Sequence, residues 1–333
     1  MKKMHVWEAR LARFFSRLPL SLVVGLATLL ARIFCLLPLS VARPHRAALV
    51  NTFICFPDMS WRDARKFARR SMVETARTLA GYSHVWLRPV EETLSRVVRV
   101  HGMEKWQQAL DDDRPVLYLS LHQSSWEVPV LLVGRKDPGT LVMYQPAGDS
   151  ALEDIVKNGR QGTGCVLVPT NGEGVRAALM GLQRGKSMAL LADHEPAGQS
   201  NPFVPFFGHE VMVPAFVHKV IARFRPHVFF ISTQRNPDYS YEVWLDEMDE
   251  DVLGMGERDV LRAMTAGFER IIGRNPSQYQ WTYKRFRRGP SGVRKWYRNP
   301  EFLARVRAGE SPAKVFSEPS DKVAPATEDG GEQ

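Results

Sequence analysis

Leu121-His122-Gln123-Ser124-Ser125-Trp126-Glu127 joins a strand-like apolar run, VLYLSL, to a helix-like one, WEVPVLL. Histidine is the side chain whose ordinary pKa lies nearest neutrality, so it suits removal of a proton from an attacking hydroxyl. A carboxylate five residues on, at the start of the helix, can reach back across one turn to fix the imidazole tautomer and stabilise the imidazolium. His122 and Glu127 are therefore a candidate general-base dyad. The strand end is where ligands collect in open α/β sheets, and the helix N-terminus beside it favours negative charge, on Glu127 or on a ligand. Spacing alone is unspecific, since a His and a Glu so placed also occur in turns that do no chemistry.

Asp193-His194-Glu195 follows a second strand-like run and is expected to reach the same face. As a metal site its ligand set is incomplete, so no metal is expected and an orienting role is preferred. Trp126 reads as a core or lid residue. The aromatic run at 203–207 reads either as an acyl-chain wall or as packing beneath a loop. Three cysteines, Cys35, Cys55 and Cys165, are odd in number and show no CxxC spacing, which argues against a disulfide framework or a zinc site. No GxxxxGK[ST] sequence occurs, which disfavours a nucleotide-driven enzyme, and no organic cofactor is expected.

The elements that must position these residues alternate. Strands are predicted near 96–100, 115–121, 140–144, 165–169 and 188–193, with helices near 103–110, 126–133, 150–158 and 174–184. A helix at 214–223, strands at 228–234 and 241–246, and a helix at 257–272 complete an α/β domain with a mixed sheet flanked by helices. Ser60 and Asp63 predict a capped helix start. Residues 18–42 carry a single charge, Arg32, and are long enough for membrane embedding, either spanning or re-entrant. Basic residues flank the stretch on both sides, so orientation is not fixed by charge. The chain holds 45 Lys+Arg and 36 Asp+Glu, a net charge of +9, and residues 1–70 hold thirteen of the bases but only three of the acids. Beside an apolar segment that excess suits anionic lipid rather than nucleic acid. Residues 284–298 form a second basic run with three aromatics, read as an interfacial belt at Trp296 and Tyr297 or a dock for an acidic protein. The expected organisation is a membrane anchor at 1–45, a catalytic domain at 46–308 and a disordered tail at 309–333, where Pro, Ser, Glu, Asp and Gly dominate.

LHQSSWE, Tyr144-Gln145-Pro146, Gly159-Arg160, Asp193-His194-Glu195-Pro196, Phe203-Val204-Pro205-Phe206-Phe207-Gly208 and Pro276-Ser277-Gln278-Tyr279-Gln280-Trp281 through Arg285-Phe286 follow one another in a telling order. With Asn51-Thr52-Phe53-Ile54-Cys55-Phe56-Pro57 ahead of them, the chain resembles the late acyltransferases of lipid A biosynthesis, the lauroyl and myristoyl acyltransferases. That family lies within the glycerol-phosphate acyltransferase superfamily, whose hallmark is His-x4-Asp/Glu. The resemblance implies a glycerol-phosphate-acyltransferase-like fold and transfer of an acyl chain from a thioester, usually on acyl carrier protein, to a hydroxyl of a lipid A precursor. It implies His122 as base, Glu127 as its orienter, and a place on the cytoplasmic side of a bacterial inner membrane among membrane lipids. Substrate-binding roles are expected for Trp126, Gln145, Arg160, Asp193 and His194. Arg160 reads as an oxyanion donor or a phosphate ligand, and Asp193 matches the family's acidic position. Gln145 stands where the family commonly has Arg, which removes a charge there. Another lipid acceptor, or a catalytically silent membrane-associated protein, remains an alternative reading.

Overall fold

The computed structural model describes residues 2–146, 151–198 and 200–317. Five helices come first: α1 (Lys2–Ser16), α2 (Leu20–Phe34), α3 (Arg43–Cys55), α4 (Trp61–Leu87) and α5 (Val90–Leu94). The alternation then runs β1 (Val97–His101), α6 (Met103–Leu110), β2 (Val116–Ser120), α7 (Glu127–Lys136), β3 (Leu141–Tyr144), α8 (Ala151–Gln161), β4 (Val166–Pro169), α9 (Gly172–Gln183) and β5 (Met188–Leu191). A hairpin of β6 (Phe203–Phe206) and β7 (His209–Met212) precedes α10 (Phe216–Phe224), β8 (His227–Arg235), β9 (Tyr241–Glu247) and α11 (Glu257–Arg274). A two-residue ladder of β10 (Arg288–Gly289) and β11 (Gly292–Val293) leads to α12 (Glu301–Arg307) and α13 (Pro312–Val315).

Among the described residues, seven strands form one sheet in the order β1-β9-β8-β2-β5-β3-β4. The strands from β8 to β4 are parallel, while β9 runs antiparallel to β8 and carries β1 parallel to itself. This is the expected mixed sheet. Every residue of β2 is buried because helices cover both faces, which is why its sequence reads as an unbroken apolar run. Leu117 and Leu119 enter the core shared with α3, α10 and α11, whereas Val116 and Tyr118 enter the one under α6 and α7. At the head of α4 the Ser60 hydroxyl accepts from the Asp63 amide at 3.1 Å, the predicted cap.

The apolar stretch at 18–42 does not form one long rod. α2 has 15 residues, about 22 Å of helix at 1.5 Å per residue, short of the roughly 30 Å of a bilayer's hydrocarbon core. No described helix is long and apolar enough to cross a membrane. Instead α2 lies against α4, where Arg77 Nε donates to the Thr28 hydroxyl at 2.9 Å and His84 Nε2 donates to the Leu18 carbonyl at 2.9 Å. Arg88 Nε donates to the Ser16 carbonyl at 2.8 Å, which ties the end of α1 to the same helix. Leu22, Leu26, Leu29, Leu30 and Ile33 stay exposed along α2, and Trp7, Leu11 and Phe14 along α1.

Three local expectations change. Trp296 and Tyr297 are buried in the core, not at an interfacial belt, and Tyr297 donates its hydroxyl hydrogen to Asn51 Oδ1. The run at 203–207 is β6 and the start of its turn; Phe206 packs on Phe286, and Phe207 on Phe56 and Trp281, so these rings fill the core. The packed chain also continues past residue 308, since Val315 and Phe316 are buried. The rest of the expected tail, 318–333, lies outside the described residues.

Candidate functional site

Sheet register builds the centre of the site. β2 and β5 are parallel neighbours with Ser120 opposite Leu191, and the Ala192 amide donates to the Ser120 carbonyl at 3.0 Å. Two residues past each of those positions stand His122 and Asp193, side by side at the carboxyl ends of adjacent strands. The His122 ring meets Asp193 Oδ1 through Nδ1 at 2.8 Å, and its backbone amide donates to Asp193 Oδ2 at 3.1 Å. The Asp193 side chain is fully buried and His122 is 18% exposed, so the second ring nitrogen remains for chemistry at the surface. Burial opposes ionisation of Asp193, yet the charges of His122 and His194 and the hydrogen bonds from His122 overcome it and hold the carboxyl well below the usual carboxylate range.

The loop after β2 is pinned from the far end of the chain. The Ser124 amide donates to the Gln278 carbonyl at 2.8 Å, and the Gln280 amide donates to the His122 carbonyl at 2.9 Å. Buried Ser124 adopts φ +51°, a left-handed conformation that a serine holds only when its surroundings dictate it.

Rings then extend the site outward. His194 stacks on His122 with centroids 3.7 Å apart and planes 5° apart, and Tyr283 stacks on the other face of His194 at 3.7 Å. Burial, with the charges of His122 and Arg285, lowers His194 to about 4 although Asp193 and Gln280 pull it upward, so this ring is neutral near pH 7. Trp126 stands edge-on between His122, at 5.0 Å, and Tyr82 of α4, at 5.2 Å.

Glu127 is turned elsewhere. Its carboxylate, 1% exposed, is held bidentately by Arg160, with Nε donating to Oε2 at 2.8 Å and Nη2 donating to Oε1. The imidazole is thus held by Asp193 where the sequence reading put Glu127. Beside this pair lies a groove of about 290 Å³ lined by Tyr82, Trp86, Trp126, Glu127, Gln145 and Arg160 among others. Gln145 is exposed at the end of β3 and its side-chain oxygen accepts from the Thr170 hydroxyl. The expected site residues therefore form two adjoining groups: His122, Asp193 and His194 in one, and Glu127, Gln145 and Arg160 in the other, with Trp126 bordering both.

His122, Asp193 and His194 place possible ligand atoms within 4.8 Å of one another. The arrangement fits a cation poorly, because both Asp193 oxygens are engaged by His122 and near-parallel stacked rings aim their in-plane lone pairs side by side, not at one point. Sequence reasoning missed Tyr82 and Trp86, which wall the groove from α4, and Tyr283. The one signal for Tyr283 is its place three residues past Gln280 in a segment already singled out.

The chain is 23% identical over 257 residues to the lipid A biosynthesis palmitoleoyltransferase of Escherichia coli (strain K12), covering 77% of this chain and 82% of that one. It is 24% identical over 254 residues to the lauroyltransferase of the same organism, with 75% and 81% covered, and 23% over 244 residues to its myristoyltransferase, with 72% and 74% covered. Residues 9–288 match the family description of bacterial lipid A biosynthesis acyltransferases, which spans the whole site and most of the chain. The chain belongs to the bacterial lipid A biosynthesis acyltransferase family and is an acyltransferase.

Proposed function

We propose that the protein moves a fatty acyl chain from the thioester of acyl carrier protein to a hydroxyl of a lipid A precursor, with His122 as general base. The carrying observation is the partly exposed imidazole backed at 2.8 Å by a buried carboxylate. With Nδ1 engaged by Asp193, the other ring nitrogen is placed to accept the acceptor's hydroxyl proton. The oxygen attacks the thioester carbonyl, a C–O bond forms, the C–S bond breaks, and the proton passes from His122 to the departing thiolate. Asp193 stabilises the imidazolium in between, and a base so positioned is worth about 10²–10⁴-fold. His194 and Tyr283, stacked behind His122, keep its ring from rotating. The groove takes the substrate on this reading: Tyr82, Trp86 and Trp126 offer apolar wall, and Arg160, fixed by Glu127, offers donors to an oxyanion or to the acceptor.

The exposed stripes of α1 and α2 support attachment to the surface of a bacterial inner membrane, on its cytoplasmic side, without a spanning helix. The catalytic unit on this reading includes α13, and residues 1–45 form its membrane-facing edge.

The test is mass spectrometry of lipid A and of total lipids from cells lacking the gene, complemented with wild type, His122→Ala or Asp193→Asn. Wild type is expected to restore one acyl chain, His122→Ala to restore none, and Asp193→Asn to act at least about 10²-fold more slowly in an assay with acyl carrier protein thioester. Restoration by both variants at wild-type rates would remove His122 as the base. An unchanged lipid A alongside an altered phospholipid or aminolipid would reassign the acceptor.

A further inference from the structure

A second concentration of chemistry lies away from the groove, where α3 begins. Arg43-Pro44-His45-Arg46 form its first turn after Ala42, and no side chain caps the helix. His45 is 1% exposed, and neither ring nitrogen has a hydrogen-bond partner. Arg46 Nε and Nη2 and Arg69 Nε are likewise buried without an acceptor. Buried donors left unmatched cost about 1–3 kcal/mol each, so several on neighbouring elements favour binding of an anion.

The neighbourhood carries the same sign. Arg65 and Arg69, one turn apart on α4, act on His45, while Lys284 is crowded by Arg298, Arg43 and Arg46. Among the described residues none of these six cations has an ion-pair partner, in contrast to Arg77, Arg235 and Arg305. We infer that the first turn of α3, with His45, Arg46, Arg69 and Lys284, binds the phosphate group of a phosphate ester.

Compactness and shape select phosphate. Arg65 and Arg69 lie close enough to act on His45, and Arg43 and Arg46 on Lys284, and guanidinium forks match the oxygens of a small tetrahedral anion. The open helix N-terminus adds partial positive charge. Carboxylates on an acidic protein surface would meet only the exposed rim. Leu36 and Val41 stand exposed in the turn that leads into α3 and continue the apolar stripe of α2, so a lipid can lay its chains there with its phosphate at the helix end. Free phosphate would use the same donors without that apolar margin.

His45 supplies a readout independent of acyl transfer. Burial, then the charges of Arg69 and Arg65, depress its pKa to about 4, and a bound anion raises it again. The experiment uses the full chain in non-ionic detergent, with the His45 ring followed by long-range proton–nitrogen spectra and assigned through His45→Asn. It is titrated separately with inorganic phosphate and with dihexanoylphosphatidylglycerol, against sodium chloride at equal ionic strength. The expected result is a saturable shift of the His45 signals that chloride does not reproduce, with affinity lowered about tenfold in Arg46→Gln. Lys284→Gln, at the exposed rim, weakens binding without disturbing the core and keeps the test open if Arg46→Gln fails to fold. Saturation by inorganic phosphate alone identifies free phosphate, and saturation by the lipid alone identifies a headgroup; either supports the site. A response matched by chloride, or unchanged in both variants, overturns it. Because no turnover is measured, this outcome stands apart from the acyltransfer assay.

Discussion

Glu127 and Arg160 meet where neither charge could stay alone, at 1% and 12% side-chain exposure. Breaking a buried pair from one side strands the other charge and costs about 3–5 kcal/mol, whereas neutralising both is far milder. Arg160→Gln is therefore expected to lower unfolding free energy by about that amount, and the Glu127→Gln/Arg160→Gln double variant to recover most of it. Urea unfolding curves decide the matter: a loss in the double variant equal to the sum of the losses in Glu127→Gln and Arg160→Gln would mean that the pair is not coupled. The same two residues show where sequence reading stops. His122 was legible because an apolar strand run ends one residue before it. Asp193 was legible as an orienting residue on the same face but not as the direct partner of His122, since it is 71 residues distant and is brought in by the register of β2 on β5. Glu127 is nearer in sequence but begins a helix whose first turn aims it at α8.

At the scale of elements, periodicity located nearly every strand of the main sheet, because β2, β3 and β5 are buried on both faces and are bounded by turn residues. Length misled at residues 18–42. The apolar count allowed a spanning or a re-entrant segment, and the spanning alternative fails because Pro19 precedes α2, Phe34 ends it, and polar groups of α4 hold it against that helix. The hairpin of β6 and β7 was hidden for another reason: its turn uses Phe207 at φ +47° and Gly208 at φ +76°, and phenylalanine is no turn signal. The stripe left on α2 makes a prediction of its own. Leu26→Glu/Leu30→Glu replaces exposed side chains only, so the thermal melt should shift by no more than a few degrees. Co-sedimentation with vesicles of anionic lipid should fall several-fold, since apolar insertion is lost and negative charge is added. Wild-type sedimentation of this variant would show that another face meets the lipid.

For the molecule as a whole, pH sets the margin of stability. His45 and His194 titrate at about 4 when folded, against about 6.5 in an unfolded chain. Between those values the unfolded chain binds more protons, so unfolding free energy rises with pH across the window. The contribution is complete above about 6.5 and is lost as pH falls towards 4, at up to about 1.4 kcal/mol per pH unit for each ring. Urea midpoints measured from pH 7 down to pH 4.5 should fall, and His45→Asn should flatten the decline. An unaltered slope in that variant would remove His45 from the account.

The pinning of the site by distant residues has a bearing on synthesis. Asn51 Nδ2 donates to the carbonyls of Trp281 and Tyr283, joining chain positions 230 and 232 residues apart, and that clamp, with the Glu195 amide donating to the Tyr283 hydroxyl at 3.0 Å, sets Tyr283 behind His194. A nascent chain that has emerged through Asp193 already owns its imidazole and carboxylate but lacks the backing ring and the Gln278 and Gln280 contacts to its loop. At about 5–20 residues per second, translation of the missing stretch takes roughly 5–18 s. During that interval the ribosome carries a half-built active centre, so the timing of first turnover is set by the segment around residues 276–283 rather than by the segment that carries the base.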